Sequence, residues 1–61
     1  MNDPAAVRVY VLTGADAATA LDWLHVHADL QGVMEEDLAI TVWLAGELPT
    51  LPFADLAVRE L

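Results

Sequence analysis

The clearest pattern in the chain is strict alternation over Val7-Arg8-Val9-Tyr10-Val11-Leu12. In an extended chain Val7, Val9 and Val11 share one side, and Arg8, Tyr10 and Leu12 share the other. A period of two, rich in β-branched residues, predicts a strand. The period then changes. Ala17, Ala20, Leu21, Leu24 and Ala28 recur at helical spacing and form one apolar stripe, from which Asp22 and Asp29 point away. This predicts a helix from about Asp16 to Leu30. Thr13 and Asp16 have the spacing of a capping box at its start, and Gly32 reads as the glycine that ends it.

Alternation returns afterwards. Val33 to Glu36 reads as a short strand, Asp37 as a tight turn, and Leu38 to Ala45 as a longer strand. In the longer strand Leu38, Ile40, Val42 and Leu44 face one way, and Ala39, Thr41, Trp43 and Ala45 face the other. The two strands together make a hairpin. Gly46, Pro49 and Pro52 then interrupt any regular element. For Leu56 to Leu61 two readings stay open. Pro52 could open a short helix carrying Leu56 and Leu61; alternation of Leu56 and Val58 against Arg59 favours a strand.

The order β-α-β-β-loop-β predicts an α+β fold, a ferredoxin-like split βαβ antiparallel sheet. It has one main helix, and the second helix is reduced to a Pro-rich crossover. About ten extended residues span roughly 33 Å, more than the ~20 Å of a six-residue strand.

Composition makes this a folded single domain over 1–61. Of 61 residues, 57% are hydrophobic, which supplies a core and argues against disorder. No apolar run approaches the ~18 residues of a membrane span. Met1-Asn2-Asp3-Pro4 lacks the basic start of a signal peptide, so a soluble, cytoplasmic protein is expected. The charge narrows the partners. Ten acidic residues stand against two arginines, Arg8 and Arg59, with no lysine and a net charge of −8. Direct binding to nucleic acid needs clustered cations, and an anionic membrane surface repels such a chain. A basic protein partner fits; charge that only maintains solubility is the plain alternative.

Catalytic constellations are missing from the sequence. There is no Cys and no Ser, and the glycines stand singly at positions 14, 32 and 46. That leaves no phosphate or dinucleotide loop and weighs against an independent nucleotide-, NAD- or S-adenosylmethionine-dependent enzyme. His25 and His27 are two apart on a helix, where they do not face each other; one half-buried and one solvated histidine is the expectation. Glu35, Glu36 and Asp37 read as a solvated turn, or as a contact point for a basic partner. No catalytic, cofactor or metal residue is expected.

The sheet carries the best binding feature. The expectation is that one face packs on the helix through Val7, Val9, Val11, Ile40 and Val42, joined by Leu56 and Val58. The other face would carry Arg8, Tyr10, Thr41, Trp43 and Arg59, with Tyr10 and Trp43 side by side. Tyr, Trp and Arg are the types enriched in interface hot spots.

These residues resemble a known family. Val9-Tyr10-x-Leu12-x-Gly14, Gly32-Val33-Met34-Glu35-Glu36, Val42-Trp43-Leu44, and Leu51-Pro52-Phe53 followed by Arg59-Glu60-Leu61 match in order and spacing. Together they resemble the N-terminal domain of the ribosomal protein L-eleven methyltransferases (the PrmA family), over almost the whole chain. The resemblance implies a ferredoxin-like substrate-recognition domain that holds a basic ribosomal protein. It also implies a linker and a separate Rossmann-like domain that binds S-adenosylmethionine; the sequence departs from the family by ending at Leu61, so no family catalytic or cofactor residue maps here. Two rivals stand beside it. One is a free-standing ferredoxin-like module that pairs as a homodimer through its sheet face. The other is an acidic inhibitor that blocks a basic protein by charge mimicry.

Overall fold

The computed structural model describes residues 6–61; the reading of Met1 to Pro4 lies outside them. The element order is β1 (Val7–Thr13), α1 (Ala17–His27), β2 (Leu30–Glu35), β3 (Ile40–Ala45) and β4 (Ala57–Glu60). The four strands form one antiparallel sheet in the order β2-β3-β1-β4. β1 pairs antiparallel with both β3 and β4, and β3 also pairs antiparallel with β2. Strands β1 and β2 therefore run parallel, joined by α1, with β3 inserted between them. The protein is a small α+β domain with one helix.

The helix starts and stops for reasons the periodicity did not carry. Thr13 belongs to β1, and Asp16 occupies the N-cap without a side-chain cap bond. Its carboxylate instead accepts a hydrogen bond from the Asp55 backbone N–H at 3.0 Å, while Asp16 N–H donates to the Asp55 carbonyl at 2.9 Å. The helix start is thus tied to the far end of the loop before β4. Gly14 makes the approach feasible. It sits at φ +108, and a Cβ there would fall 2.6 Å from the Asp55 carbonyl oxygen.

α1 ends at His27, not near Leu30. Ala28 is already extended (φ −138, ψ 165) and makes the last helical bond, to the Leu24 carbonyl. Leu30 then begins β2, where the Ala45 N–H to Asp29 carbonyl bond fastens the strand beside β3. Pairing with β3 takes the residues that the apolar stripe would have left to the helix. Gly32 is accordingly not a helix-ending glycine. It lies inside β2, at the register shift opposite Trp43. β3 starts at Ile40, and Leu38 belongs to the hairpin turn, 87% exposed. The last segment is a strand over Ala57–Glu60.

The core lies between α1 and one face of the sheet. Ala17, Ala20, Leu21 and Leu24 of the helix meet Tyr10, Leu12, Ile40, Val42 and Leu44. Burial of these side chains is what holds so small a domain together, at roughly 25 cal/mol per Å² of apolar surface removed from water. The segment from Gly46 to Leu56 contains no helix, and Pro49 and Pro52 interrupt regular structure within it. It still closes the core: Leu48, Leu51, Phe53 and Leu56 pack against it. The Leu48 N–H donates to the Tyr10 hydroxyl at 3.1 Å, so the phenol satisfies its polar end inside an apolar setting.

Face assignment in β1 is the main correction. Tyr10 and Leu12 face the helix, and Val7, Val9 and Val11 face away. The register fixes this, because Tyr10 stands opposite Val42 and Leu12 opposite Ile40, both buried in the core. Both halves of the alternation are apolar, so periodicity separates them without saying which half is buried. The small Ala17 and Ala20 on α1 leave depth that Tyr10 and Leu12 fill and valines would not.

Candidate functional site

The side of the sheet away from α1 has no layer over it among the described residues. Directly paired residues of antiparallel strands share a face. Val9 pairs with Trp43, Val11 with Thr41 and with Arg59, and Met34 with Thr41. Val7, Val9, Val11, Met34 and Trp43 therefore make one continuous surface around Thr41, which is itself buried at 7% exposed between Val11 and Met34, with Arg59 at the β4 edge. Val7 is 54% exposed and Met34 47%. Trp43 is half-buried, because its indole lies over Gly32. A Cβ on Gly32 would meet the ring at 3.5 Å. The missing side chain on the edge strand is what lets the indole lie flat across the sheet.

The residues singled out from the sequence divide between two faces. Thr41, Trp43 and Arg59 come together on the open face. Tyr10 does not join Trp43: it is 5% exposed, in the core on the other side. Arg8 shares the Tyr10 side and is exposed at the sheet's margin. Its guanidinium lies 3.6 Å from Glu60 and 3.7 Å from Glu47. The Tyr10 phenol first, and the Glu60 carboxylate second, hold Arg8 above its ordinary pKa. Arg8 thus lies within reach of two carboxylates of its own chain. The open face instead gains Val7, Val9, Val11 and Met34, residues the parity of β1 assigned elsewhere or left unnoticed.

Val58 pairs with Leu12 on the helix side, as expected, and Leu56 packs on the core. The acidic run Glu35, Glu36 and Asp37 is exposed at the β2–β3 turn, which the Glu36 N–H to Ala39 carbonyl bond closes. With Gly14, Ala15, Ala17 and Ala18 at the helix start, it borders a surface groove of about 580 Å³. Both histidines are exposed, so neither is the half-buried one expected. His27 stacks on Trp23 with ring centroids 4.3 Å apart, and Trp23 in turn meets Phe53 edge-on at 6.4 Å. These rings cover the outer side of the loop closure and lie away from the open face. Among the described residues no three His, Asp or Glu side chains gather as metal ligands would, and no helix is long and apolar enough to cross a membrane.

The distribution of charge separates the open face from everything else. No strand position on it is acidic: the open-face positions are the valines and Thr13 of β1, Gly32 and Met34, Thr41, Trp43 and Ala45, and Ala57 and Arg59. Among the described residues the carboxylates lie on the helix, in the turns and loops, and on the far side. An apolar, weakly cationic patch is thus framed by a strongly acidic domain. No family model, curated protein or solved structure matches the chain.

Proposed function

We propose that this chain is a protein-recognition domain that binds a basic protein across its open sheet face. The observation that carries the reading is that face: continuous, apolar, without a carboxylate, in a domain of net charge −8. Exposed apolar surface of this kind is what partners cover, and an acidic frame steers a cationic partner onto it. The strand order, read as β4-β1-β3-β2 with α1 crossing between parallel strands, supports a ferredoxin-like fold with its second crossover reduced to the Gly46–Leu56 loop. With the motif resemblance, this supports a more specific form. The domain recognises a ribosomal protein and presents it to a separate S-adenosylmethionine-dependent methyltransferase domain. The chain itself is then a binding element, not an enzyme.

Charge favours a basic partner over a second copy. Four strands about 4.8 Å apart and about 20 Å long give a face of about 400 Å². Two such faces stacked together bury about 800 Å², below the ~1,200 Å² of a standard stable interface. Two copies would bring net charges of −8 together. A basic partner adds the attraction of the surrounding carboxylates to the same apolar contact.

The test is titration of a purified basic ribosomal protein into the isotope-labelled chain. The expected result is saturable shifts at the amides of Val9, Val11, Met34, Thr41 and Trp43. Binding should survive moderate salt, since exposed charges are screened within about 8 Å at physiological ionic strength and the apolar contact is not. Absence of heat or shifts at about 50 μM, roughly the range of a weak specific complex, sinks the proposal. Binding that collapses with salt and leaves the open face unshifted favours charge mimicry. Shifts in the chain alone on concentration favour a homodimer.

A further inference from the structure

We infer that the β1–β4 side of the open face holds an anchor groove for one element of the partner: an aliphatic side chain next to a carboxylate. This rests on the reading of the open face as the docking surface and names what it grips. The groove has a volume of about 340 Å³ and is lined by Val11, Thr13, Ala39, Ala57 and Arg59, with Val58 at its edge. The register explains why it exists. Thr13 pairs with Ala57 and Val11 with Arg59, so the short side chains of Thr13 and Ala57 stand together at this end of the face, while the bulky Trp43 stands opposite Val9 further along. Its volume lies at the low end for ligand sites, about 300 Å³, enough for a side chain and not for an extended cofactor.

Arg59 gives the groove its chemistry. The two arginines of the chain have different fates. Arg8 is drawn to Glu47 and Glu60 on the far side, whereas Arg59 forms no ion pair among the described residues. The antiparallel alternation of β4 produces this, because Glu60 points to the side where Arg8 stands. Arg59 is thus an exposed guanidinium at the lip of an apolar depression, on a face without carboxylates. A guanidinium fork takes a carboxylate through two parallel N–H donors. The Thr13 hydroxyl adds one further donor on the same wall. The apolar floor of Val11, Ala39 and Ala57 accepts the aliphatic group attached to that carboxylate. A chain-terminal leucine or valine of the partner has this chemistry, its side chain and its carboxylate joined to one carbon.

Amide shifts of the labelled chain at physiological ionic strength, with N-acetyl-leucine and N-acetyl-leucinamide as probes, test this. N-acetyl-leucine should move Val11, Thr13, Ala57 and Arg59 with a dissociation constant on the order of 1–10 mM, the range of a small single anchor. The amide, which keeps the side chain and loses the charge, should bind about three- to tenfold more weakly, as for an exposed ion pair near the upper end of its range. Arg59→Gln should remove the difference between the probes; its unchanged spectrum elsewhere would show that the exposed substitution leaves the fold intact. No shifts at about 50 mM, or equal shifts with both probes, overturn the inference. Titrating the basic protein into the same variant separates the two ideas. Binding that persists there while N-acetyl-leucine never binds leaves the docking face standing without this anchor. Binding of N-acetyl-leucine to a chain that ignores the basic protein removes the partner reading alone.

Discussion

The two faces of one sheet divide the work of this domain. On the helix side Tyr10, Leu12, Ile40, Val42 and Leu44 are each at most 6% exposed. On the other side the same strands leave Val7 and Met34 about half exposed, and Thr41, between Val11 and Met34, is the one buried side chain there among the described residues. The backbone hydrogen bonds are shared by both faces, so the ladder does not distinguish them. Side-chain size and the presence of a covering layer do. The helix side supplies the stability; the open side contributes little to it and remains available for binding. Substitutions on the two sides should therefore separate stability from recognition.

The largest effect is expected at the centre of the covered face. Leu24→Ala removes a side chain with no exposed surface, one of a single buried cluster that also holds Leu12 and Val42. Leucine truncation in a core costs about 2–5 kcal/mol. Against a total of about 5–15 kcal/mol for a native domain, and less for one of this size, that leaves the chain largely unfolded. Thermal melting by circular dichroism checks it. A variant whose midpoint falls by less than about 5 °C, worth about 1 kcal/mol here, would show that the core is not where the structure puts it.

Next in size is Gly14→Ala. The added Cβ meets the Asp55 carbonyl, a backbone atom that cannot swing aside, and the residue must hold φ +108. Left-handed backbone alone costs about 1–2 kcal/mol for a residue with a Cβ, and the clash adds to it. Urea denaturation should show a loss of about 2 kcal/mol or more. Gly46 isolates the first contribution, since it sits at φ +96 with open space around it. Gly46→Ala should cost only about 1 kcal/mol. Equal losses at the two glycines would mean that the close approach to Asp55 matters little.

How far the sequence carries one toward this structure depends on which signal each element sends. The helical stripe from Ala17 to Leu24 is buried as its spacing requires, and the alternating Ile40–Ala45 strand has the expected faces, its large aliphatic side chains Ile40, Val42 and Leu44 all falling on one parity. Pro49 and Pro52 interrupt regular structure between β3 and β4 as read, and of the two readings left open for Leu56 to Leu61 the strand is the one observed. β1 fails for a physical reason: Arg8 apart, both of its faces are apolar, and a parity error moves every side chain across the sheet. The volume of Tyr10 and Leu12, set against the small alanines of α1, was the available clue. The helix end fails because Ala28 continues the stripe while Leu30 is claimed by pairing with β3, a contact no local pattern reports. At the candidate site, Thr41, Trp43 and Arg59 were legible from their position in the strands. The valines were not, since they inherit the β1 error, and Met34 was not, since nothing local assigned a face to the short strand before the hairpin turn. The tie between Asp16 and Asp55 links residues 39 apart and leaves no periodic trace.

Tyr10→Phe tests the corrected placement of Tyr10 directly. If the phenol served an exposed binding face, its removal would leave stability unchanged and weaken binding. In the core it accepts the Leu48 N–H, so Phe leaves a part-buried donor without its partner. A loss of about 1 kcal/mol is expected, within the range for an intramolecular hydrogen bond, with binding of the basic protein unaffected. The Leu48 amide should also exchange faster with solvent, since its acceptor is gone.

The smallest effect on stability is expected on the open face, and it sharpens the comparison most. Met34→Thr exchanges a half-exposed apolar side chain on the edge strand for a polar, β-branched one that suits an extended backbone. No covering layer is lost, because none is present. Stability should change by no more than about 0.5 kcal/mol, as for surface substitutions generally. Affinity for the basic protein should nonetheless fall several-fold, because the methionine lies beside Thr41 within the patch that a partner must dehydrate. The pair Met34→Thr and Leu24→Ala thus places opposite demands on one sheet. A Met34 variant that loses as much stability as a core variant would mean that the open face already has a cover within the folded chain. One that keeps both stability and full affinity would move the docking surface away from this face, toward the acidic turn at Glu35, Glu36 and Asp37.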